Sequence, residues 1–147
     1  MKSKSEIAVE KFLEGFNCAQ SVLYSFCDDL HFEKNTALKI SCGFGAGMGL
    51  QGEVCGAVTG GIMVLGTKYG RGEQDEQTAM YVTYAKTSEL MSQFNKRHGT
   101  CICRKLIDGC DLTTKEGQKQ FMEKDLLIKS CKPCVQSVVE ILENLIP

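Results

Sequence analysis

The segment "GEVCGAVTGGIMVLG", residues 52–66, decides how the rest of this sequence is interpreted. A single cysteine, Cys55, precedes a run of small and apolar residues, and small residues recur four positions apart, as at Gly56 and Gly60. This spacing places them on one face of a helix, where a second backbone can approach closely. The valine and isoleucine content also leaves a strand open for residues 54–65. The apolar run is shorter than the ~20 residues that a membrane-spanning helix needs.

The composition is that of a globular protein with balanced charge. The chain has 147 residues, 43% of them hydrophobic, and its 17 basic residues nearly balance 18 acidic ones. A chain of this length buries about 68–70% of its unfolded surface as one domain, so we assign residues 1–147 to a single domain. Balanced charge gives no electrostatic case for nucleic acid or an anionic membrane as a partner. The charged start of the chain lacks a signal-peptide core, and we expect a cytoplasmic protein.

The apolar residues follow a mostly helical period, and we therefore predict an all-α bundle of about five to seven helices. A capping box at Ser3 and Glu6 and an N-cap at Asn17 indicate the first two helix starts. Five glycines within residues 43–52 predict a glycine-rich loop. Apolar helices with glycine on one face also leave a homodimer open.

Nine cysteines are the unusual feature of a chain without an export signal. A reducing cytoplasm disfavours a permanent disulfide framework, and cysteine clusters there are more often metal ligands or redox thiols. Cys18, Cys55 and Cys131 fall at predicted helix starts, with Ser130 as the predicted cap before Cys131. Unpaired N–H groups at a helix start favour a thiolate by ~0.3–1 kcal/mol. We therefore expect these three cysteines in the anionic form that binds metal or attacks a disulfide.

Two local cysteine pairs offer competing sites. Cys131 and Cys134 in "CKPC" match the dithiol pattern of thiol–disulfide exchange proteins, although the βαβ pattern of a thioredoxin fold is missing. Cys101 and Cys103 in "TCIC" could join that pair in a local zinc site. We expect Cys131 to be a ligand and Cys134 to be a small core residue. The remaining thiols are expected to be inert: Cys27, Cys42 and Cys110.

The chain resembles the C_GCAxxG_C_C family, small redox-active proteins named for four cysteines and a Cys-Gly-Ala-x-x-Gly signature. That signature stands here at residues 55–60. Two further family elements match the sequence at residues 16–22, "FNCAQSV", and at the glycine loop, residues 44–49. The last two elements match residues 103–107 and Cys131, so the resemblance covers nearly the whole chain.

The resemblance implies an all-helical redox protein. The chain is also similar to the iron–sulfur portion of the split-Soret cytochromes, which implies a cluster of the [2Fe–2S] type on Cys18, Cys55, Cys103 and Cys131. The sequence has no Cys-x-x-Cys-His, so no covalently attached c-type haem is expected.

We therefore predict an electron-transfer protein that holds a metal centre on these four dispersed cysteines and serves an unknown redox partner protein. Two alternatives stay open at this point. One is a metal-free thiol–disulfide oxidoreductase with Cys55 or Cys131 as the nucleophile. The other is a structural zinc-binding interaction module.

Overall fold

The computed structural model describes residues 1–147, which fold into ten α-helical segments, one 3-10 turn and one π-helical turn, with no strand. One of these segments, α5, is a left-handed turn, which leaves nine helices. No helix combines the length and the apolar character needed to cross a membrane. The segments are α1 (Lys4–Leu13), α2 (Cys18–Ser25), α3 (Cys27–Leu30), α4 (Lys34–Ser41), α5 (Gly45–Met48), α6 (Gly56–Tyr69), α7 (Thr78–His98), α8 (Cys103–Leu106), α9 (Lys115–Glu123) and α10 (Lys132–Leu145).

The all-α prediction is confirmed, but the predicted count of five to seven helices is too low. The count is raised by short helices such as α3, which has only four residues. One helical turn carries too little apolar periodicity to be recognised in a sequence. Both predicted helix starts near the N-terminus are confirmed, because Ser3 and Glu6 form a capping box and Asn17 caps α2.

The glycine-rich segment is not the open loop that its composition predicts. A 3-10 turn at Cys42–Phe44 leads into α5, and residues 46–50 all have positive φ angles. The N–H of Gly49 closes the left-handed turn by donating to the carbonyl oxygen of Gly45, at 3.0 Å. Three of the five residues carry side chains, and each costs ~1–2 kcal/mol in this conformation. Strain of this kind tends to persist where a functional site requires it.

Helix α6 lies at the centre of the core, and its glycines account for its close packing. A Cβ atom on Gly60 would lie 2.7 Å from the carbonyl oxygen of Ala19 in α2. A Cβ atom on Gly61 would lie 2.8 Å from the Val138 side chain of α10 and 3.0 Å from Leu90 of α7. These glycines therefore contact other helices of the same chain, and they are not available to pack against a second molecule.

The buried thiol of Cys27 should make the stability of the fold depend on pH in the alkaline range. It is buried on α3, where burial raises its pKa from 9.0 to about 11. Between pH 9 and pH 11 the thiol stays neutral in the folded chain but ionises in the unfolded chain. Its contribution to the free energy of unfolding is therefore present in full below pH 9 and is lost as the pH rises towards 11.

As the pH rises from 9 to 11, the free energy of unfolding of the wild type should therefore fall by about 2 kcal/mol more than that of Cys27→Ala. Urea titrations at several pH values measure this difference. Cys42→Ala, at an exposed position, is the control and should follow the wild type. Parallel pH curves for Cys27→Ala and the wild type would contradict the prediction.

Candidate functional site

A cavity of about 410 Å³ opens beside the left-handed turn, between the starts of α2, α6 and α8 and the start of α10. Its wall has 20 residues, 15 of them hydrophobic. Its volume falls in the range of about 300–1,000 Å³ that is typical of ligand pockets. Five cysteines form part of this wall: Cys18, Cys55, Cys103, Cys131 and Cys134.

The four cysteines predicted as ligands all line this cavity, although they lie far apart in the sequence. Cys18 and Cys103 are the first residues of α2 and α8, and Cys55 directly precedes α6. Cys131 ends a π-helical turn, Leu127–Cys131, that continues into α10. The predicted Ser130 cap is therefore wrong, because the π-helical turn places this position inside a continuous helical segment.

Cys134 is the residue whose role the sequence did not reveal. It is buried, as predicted for a core residue, but it also lines the cavity. Its side chain hydrogen-bonds with that of Cys55. Positions three residues apart in a helix face the same side, so the Cys131–Cys134 spacing, which the sequence offered as a dithiol pair, was the signal that places both thiols at one site.

Cys55 is the thiol whose surroundings favour the thiolate. A hydrogen bond from Cys134 lowers the pKa of Cys55, and the N–H groups of Ala57 and Val58 lower it further, while burial opposes them. The same hydrogen bond and burial raise the pKa of Cys134. When this pair of thiols loses one of its two protons, the charge therefore falls on Cys55, and the remaining proton of Cys134 is shared with it.

The surroundings of Cys18 and Cys103 favour the neutral thiol. A hydrogen bond with Cys131 raises the pKa of Cys18 well above its ordinary value, and burial and the charge of Cys55 add to this effect. Burial raises the pKa of Cys103 to about 12. At Cys18, therefore, the helix start does not outweigh these opposing effects, contrary to the sequence-based expectation.

The residues of the cavity fit an iron–sulfur centre by the chemistry of their donor atoms. Thiolates are the ligands of iron–sulfur clusters and also of zinc, and no histidine or carboxylate lines the wall. A Cβ atom on Gly47 would lie 2.7 Å from that of Cys103, and one on Gly56 would lie 3.3 Å from that of Cys18. Because Gly47 and Gly56 have no side chain, the backbone at these positions can lie in close contact with Cys103 and Cys18. As the side chains stand, no three histidine, cysteine, aspartate or glutamate residues form a group that would hold a metal ion.

The alternative zinc site would need Cys101, which lies outside the cavity wall. Its Sγ is 3.7 Å from the carbonyl oxygen of Met91, and its own carbonyl oxygen accepts a hydrogen bond of 2.7 Å from the N–H of Cys55. Cys101 therefore supports the backbone before α6 and does not line the cavity.

Replacing Cys134 with alanine should raise the pKa of Cys55, because it removes the largest effect that lowers this pKa. We expect the alkylation of Cys55 by iodoacetamide to require higher pH in the metal-free Cys134→Ala variant than in the metal-free wild type. Mass spectrometry of the modified peptide measures the pH profile. Cys110→Ala, which alters a buried thiol outside the cavity, should keep the wild-type profile. An unshifted profile in Cys134→Ala would count against the shared proton.

Comparison with known proteins gives one family and one relative. The family described as "Putative redox-active protein (C_GCAxxG_C_C)" matches residues 16–145, a range that includes all five cavity cysteines. An uncharacterized protein of Archaeoglobus fulgidus is 28% identical over 123 residues, which cover 79% of this chain and 82% of the relative. No solved structure matches the chain.

Proposed function

We propose an electron-transfer function for this chain, which belongs to the C_GCAxxG_C_C redox-active family. In this proposal an iron–sulfur cluster is held by Cys18, Cys55, Cys103 and Cys131. The observation that carries the proposal is that these four cysteines, although dispersed in the sequence, line one cavity. When bound, such a cluster accepts and releases single electrons.

The size of the cavity and the placement of the thiols favour a cluster over a single zinc ion. The thiols line a cavity of about 410 Å³ without any three of them forming a group that would hold a single ion, whereas a structural zinc ion draws four ligands to about 2.3 Å from one point. In a cluster each iron binds only part of the ligand set, which suits thiols that do not converge on one point. The [2Fe–2S] type follows from the resemblance to the split-Soret cytochromes and stays a prediction.

The protein itself would contribute charge and shielding to the centre. Cys55 loses its proton to an incoming metal more readily than an ordinary thiol, because Cys134 and the N–H groups at the start of α6 lower its pKa. Donors of this kind, when directed at cluster sulfurs, help to set a reduction potential. Aromatic side chains such as Phe12 and Phe16 line the same cavity and would keep water from the centre.

The mouth of the cavity is a suitable place for a redox partner protein. Leu50, Met122 and Leu127 line the cavity and are 44%, 78% and 46% exposed. Large apolar side chains that remain exposed together often mark interaction sites. A partner docked there would lie close to the cysteines.

Purification without oxygen tests the proposed function. We expect iron and acid-labile sulfide in equal amounts, with a visible absorption that bleaches on reduction by dithionite. A colourless protein with stoichiometric zinc, or with no metal at all, would contradict the proposal.

A metal-free thiol–disulfide oxidoreductase is a second candidate, supported by the hydrogen bond between Cys55 and Cys134. The Cys55 thiolate would attack a substrate disulfide and form a mixed disulfide, which releases one substrate thiolate. Cys134 would then lose its proton and attack Cys55, releasing the second substrate thiolate and leaving a Cys55–Cys134 disulfide. Two electrons pass from the protein to the substrate. A Cys134→Ser variant that accumulates the mixed disulfide would favour this candidate. Cys131, the other predicted nucleophile, is hydrogen-bonded with Cys18 instead of Cys55.

A further inference from the structure

Helix α7 carries a long face that the rest of the chain leaves largely uncovered, although Met91 at its edge is half-buried. The helix has 21 residues, about 31 Å at 1.5 Å per residue, and only Leu90 and Phe94 are buried. Tyr81 and Tyr84 are 57% and 60% exposed. Their rings contact each other edge to face, with centroids 6.3 Å apart.

These exposed residues belong to an uncharged stripe. At about 100° per residue, six side chains fall within about 100° of the helix circumference, and none of them is charged. A shallow depression in this region is lined only by residues of α7, so no other element of the chain packs against it. We call this stripe the α7 face; it consists of Tyr81, Tyr84, Ser88, Met91, Ser92 and Asn95.

The sizes of the side chains along the α7 face suit an antiparallel copy of the same helix. The large tyrosines lie in the N-terminal half, and the small serines lie in the C-terminal half. A two-fold axis near residue 86 would place Tyr84 opposite Ser88 of a second copy and Tyr81 opposite Met91. Large side chains would then meet smaller or flexible ones in both halves, as a self-complementary interface requires.

The charges at the two ends of α7 favour the same arrangement. Glu76 lies two residues before the first residue of α7, and Lys96 lies in the last turn of the helix. The same axis places Lys96 opposite Glu76 of the second copy, whereas a parallel arrangement would bring like charges together. Neither residue has an ion-pair partner within the chain, while the neighbouring Arg97 is paired with Glu140.

We propose that this chain forms a homodimer in which the α7 faces of two copies pack antiparallel. The glycines of α6, which prompted the expectation of a dimer from the sequence, lie inside the chain and take no part. A single helix pair buries less than the ~1,200–2,000 Å² of a stable interface, so we expect dissociation in the micromolar range. The dimer does not depend on the cysteine cavity and forms in the metal-free protein.

Sedimentation equilibrium of the metal-free protein tests the dimer. Tyr84→Asp introduces a charge at the centre of the α7 face and should raise the dissociation constant at least about 30-fold, as expected for a buried interface tyrosine. Lys68→Asp, an exposed change on α6 away from the α7 face, should leave the constant unchanged. Because Tyr84 is exposed, the circular dichroism of Tyr84→Asp should match that of the wild type.

A charge swap fixes the orientation of the two helices. Glu76→Lys and Lys96→Glu should each weaken the dimer, and the double variant should restore it, since each new lysine then faces a new glutamate. A wild type that stays monomeric up to about 1 mM, well above the expected range, would overturn the proposal. A dimer that is insensitive to Tyr84→Asp would also overturn it, and a double variant weaker than both single variants would exclude the antiparallel arrangement.

Discussion

Replacing Gly60 with alanine is expected to lower the free energy of unfolding by about 2–3 kcal/mol, although it adds only one methyl group. The new Cβ atom would lie 2.7 Å from the carbonyl oxygen and 3.0 Å from the Cα atom of Ala19. Both of these are backbone atoms of α2, so no side chain can turn away to relieve the contact. Helices α2 and α6 would have to separate, and this would also move Cys18 and Cys55 at their starts.

Gly66 provides a matched control in the same helix. A Cβ atom there meets nothing within 4 Å, and alanine favours a helix over glycine by about 0.5–1 kcal/mol. Gly66→Ala should therefore raise the free energy of unfolding while Gly60→Ala lowers it. Urea unfolding followed by circular dichroism measures both changes. Effects of the same sign would contradict the close packing of α2 and α6.

Replacing Cys55 with serine is expected to cause the largest loss of function. Cys55 is the cavity cysteine whose pKa is lowered by its neighbours, and its backbone is fixed by the hydrogen bond to the carbonyl oxygen of Cys101. A serine hydroxyl has no comparable tendency to ionise or to bind iron. We therefore expect Cys55→Ser, purified without oxygen, to retain less than about one tenth of the iron of the wild type.

Serine substitutions at other buried cysteines separate loss of a ligand from loss of the fold. Cys27 and Cys110 are buried outside the cavity, so Cys27→Ser and Cys110→Ser should keep their iron. Cys134→Ser should also keep iron, because Cys134 hydrogen-bonds with Cys55 and is not in the proposed ligand set. Full iron in Cys55→Ser, or loss of iron in Cys134→Ser alone, would contradict the assignment.

Local signals in the sequence predicted the helices that have clear ends. Asn17 caps α2, and its capping box is completed by Gln20, because a polar side chain at a helix start satisfies free N–H groups. The start of α10 was not predictable in this way. The π-helical turn before it extends the helical backbone past Ser130, so a residue of the type that often caps a helix lies inside one.

The left-handed turn could not be predicted, since local propensity opposes it. Composition indicates only a flexible segment, and Ala46, Met48 and Leu50 disfavour positive φ angles. A contact distant in the sequence supports the turn, because Gly47 lies against Cys103. A nearer hydrogen bond adds to it, as the N–H of Glu53 donates to the carbonyl oxygen of Gly47 at 3.0 Å. Such tertiary contacts override local preference.

The meeting of the cysteines at one cavity was likewise beyond spacing and periodicity. The family resemblance supplied four of the five residues, and local patterns placed two of them at helix starts, Cys18 and Cys55. Cys134 was missed as a member of the site because a buried cysteine is ordinarily a small apolar residue. Only the packing of α10 against α2 and α6 brings its thiol to Cys55.

Iron anomalous scattering from crystals grown without oxygen would locate the metal directly. Iron should appear in the cavity, within bonding distance of the Sγ atoms of Cys18, Cys55, Cys103 and Cys131. Crystals that contain no iron in the cavity, or iron bound by a different set of cysteines, would contradict the account.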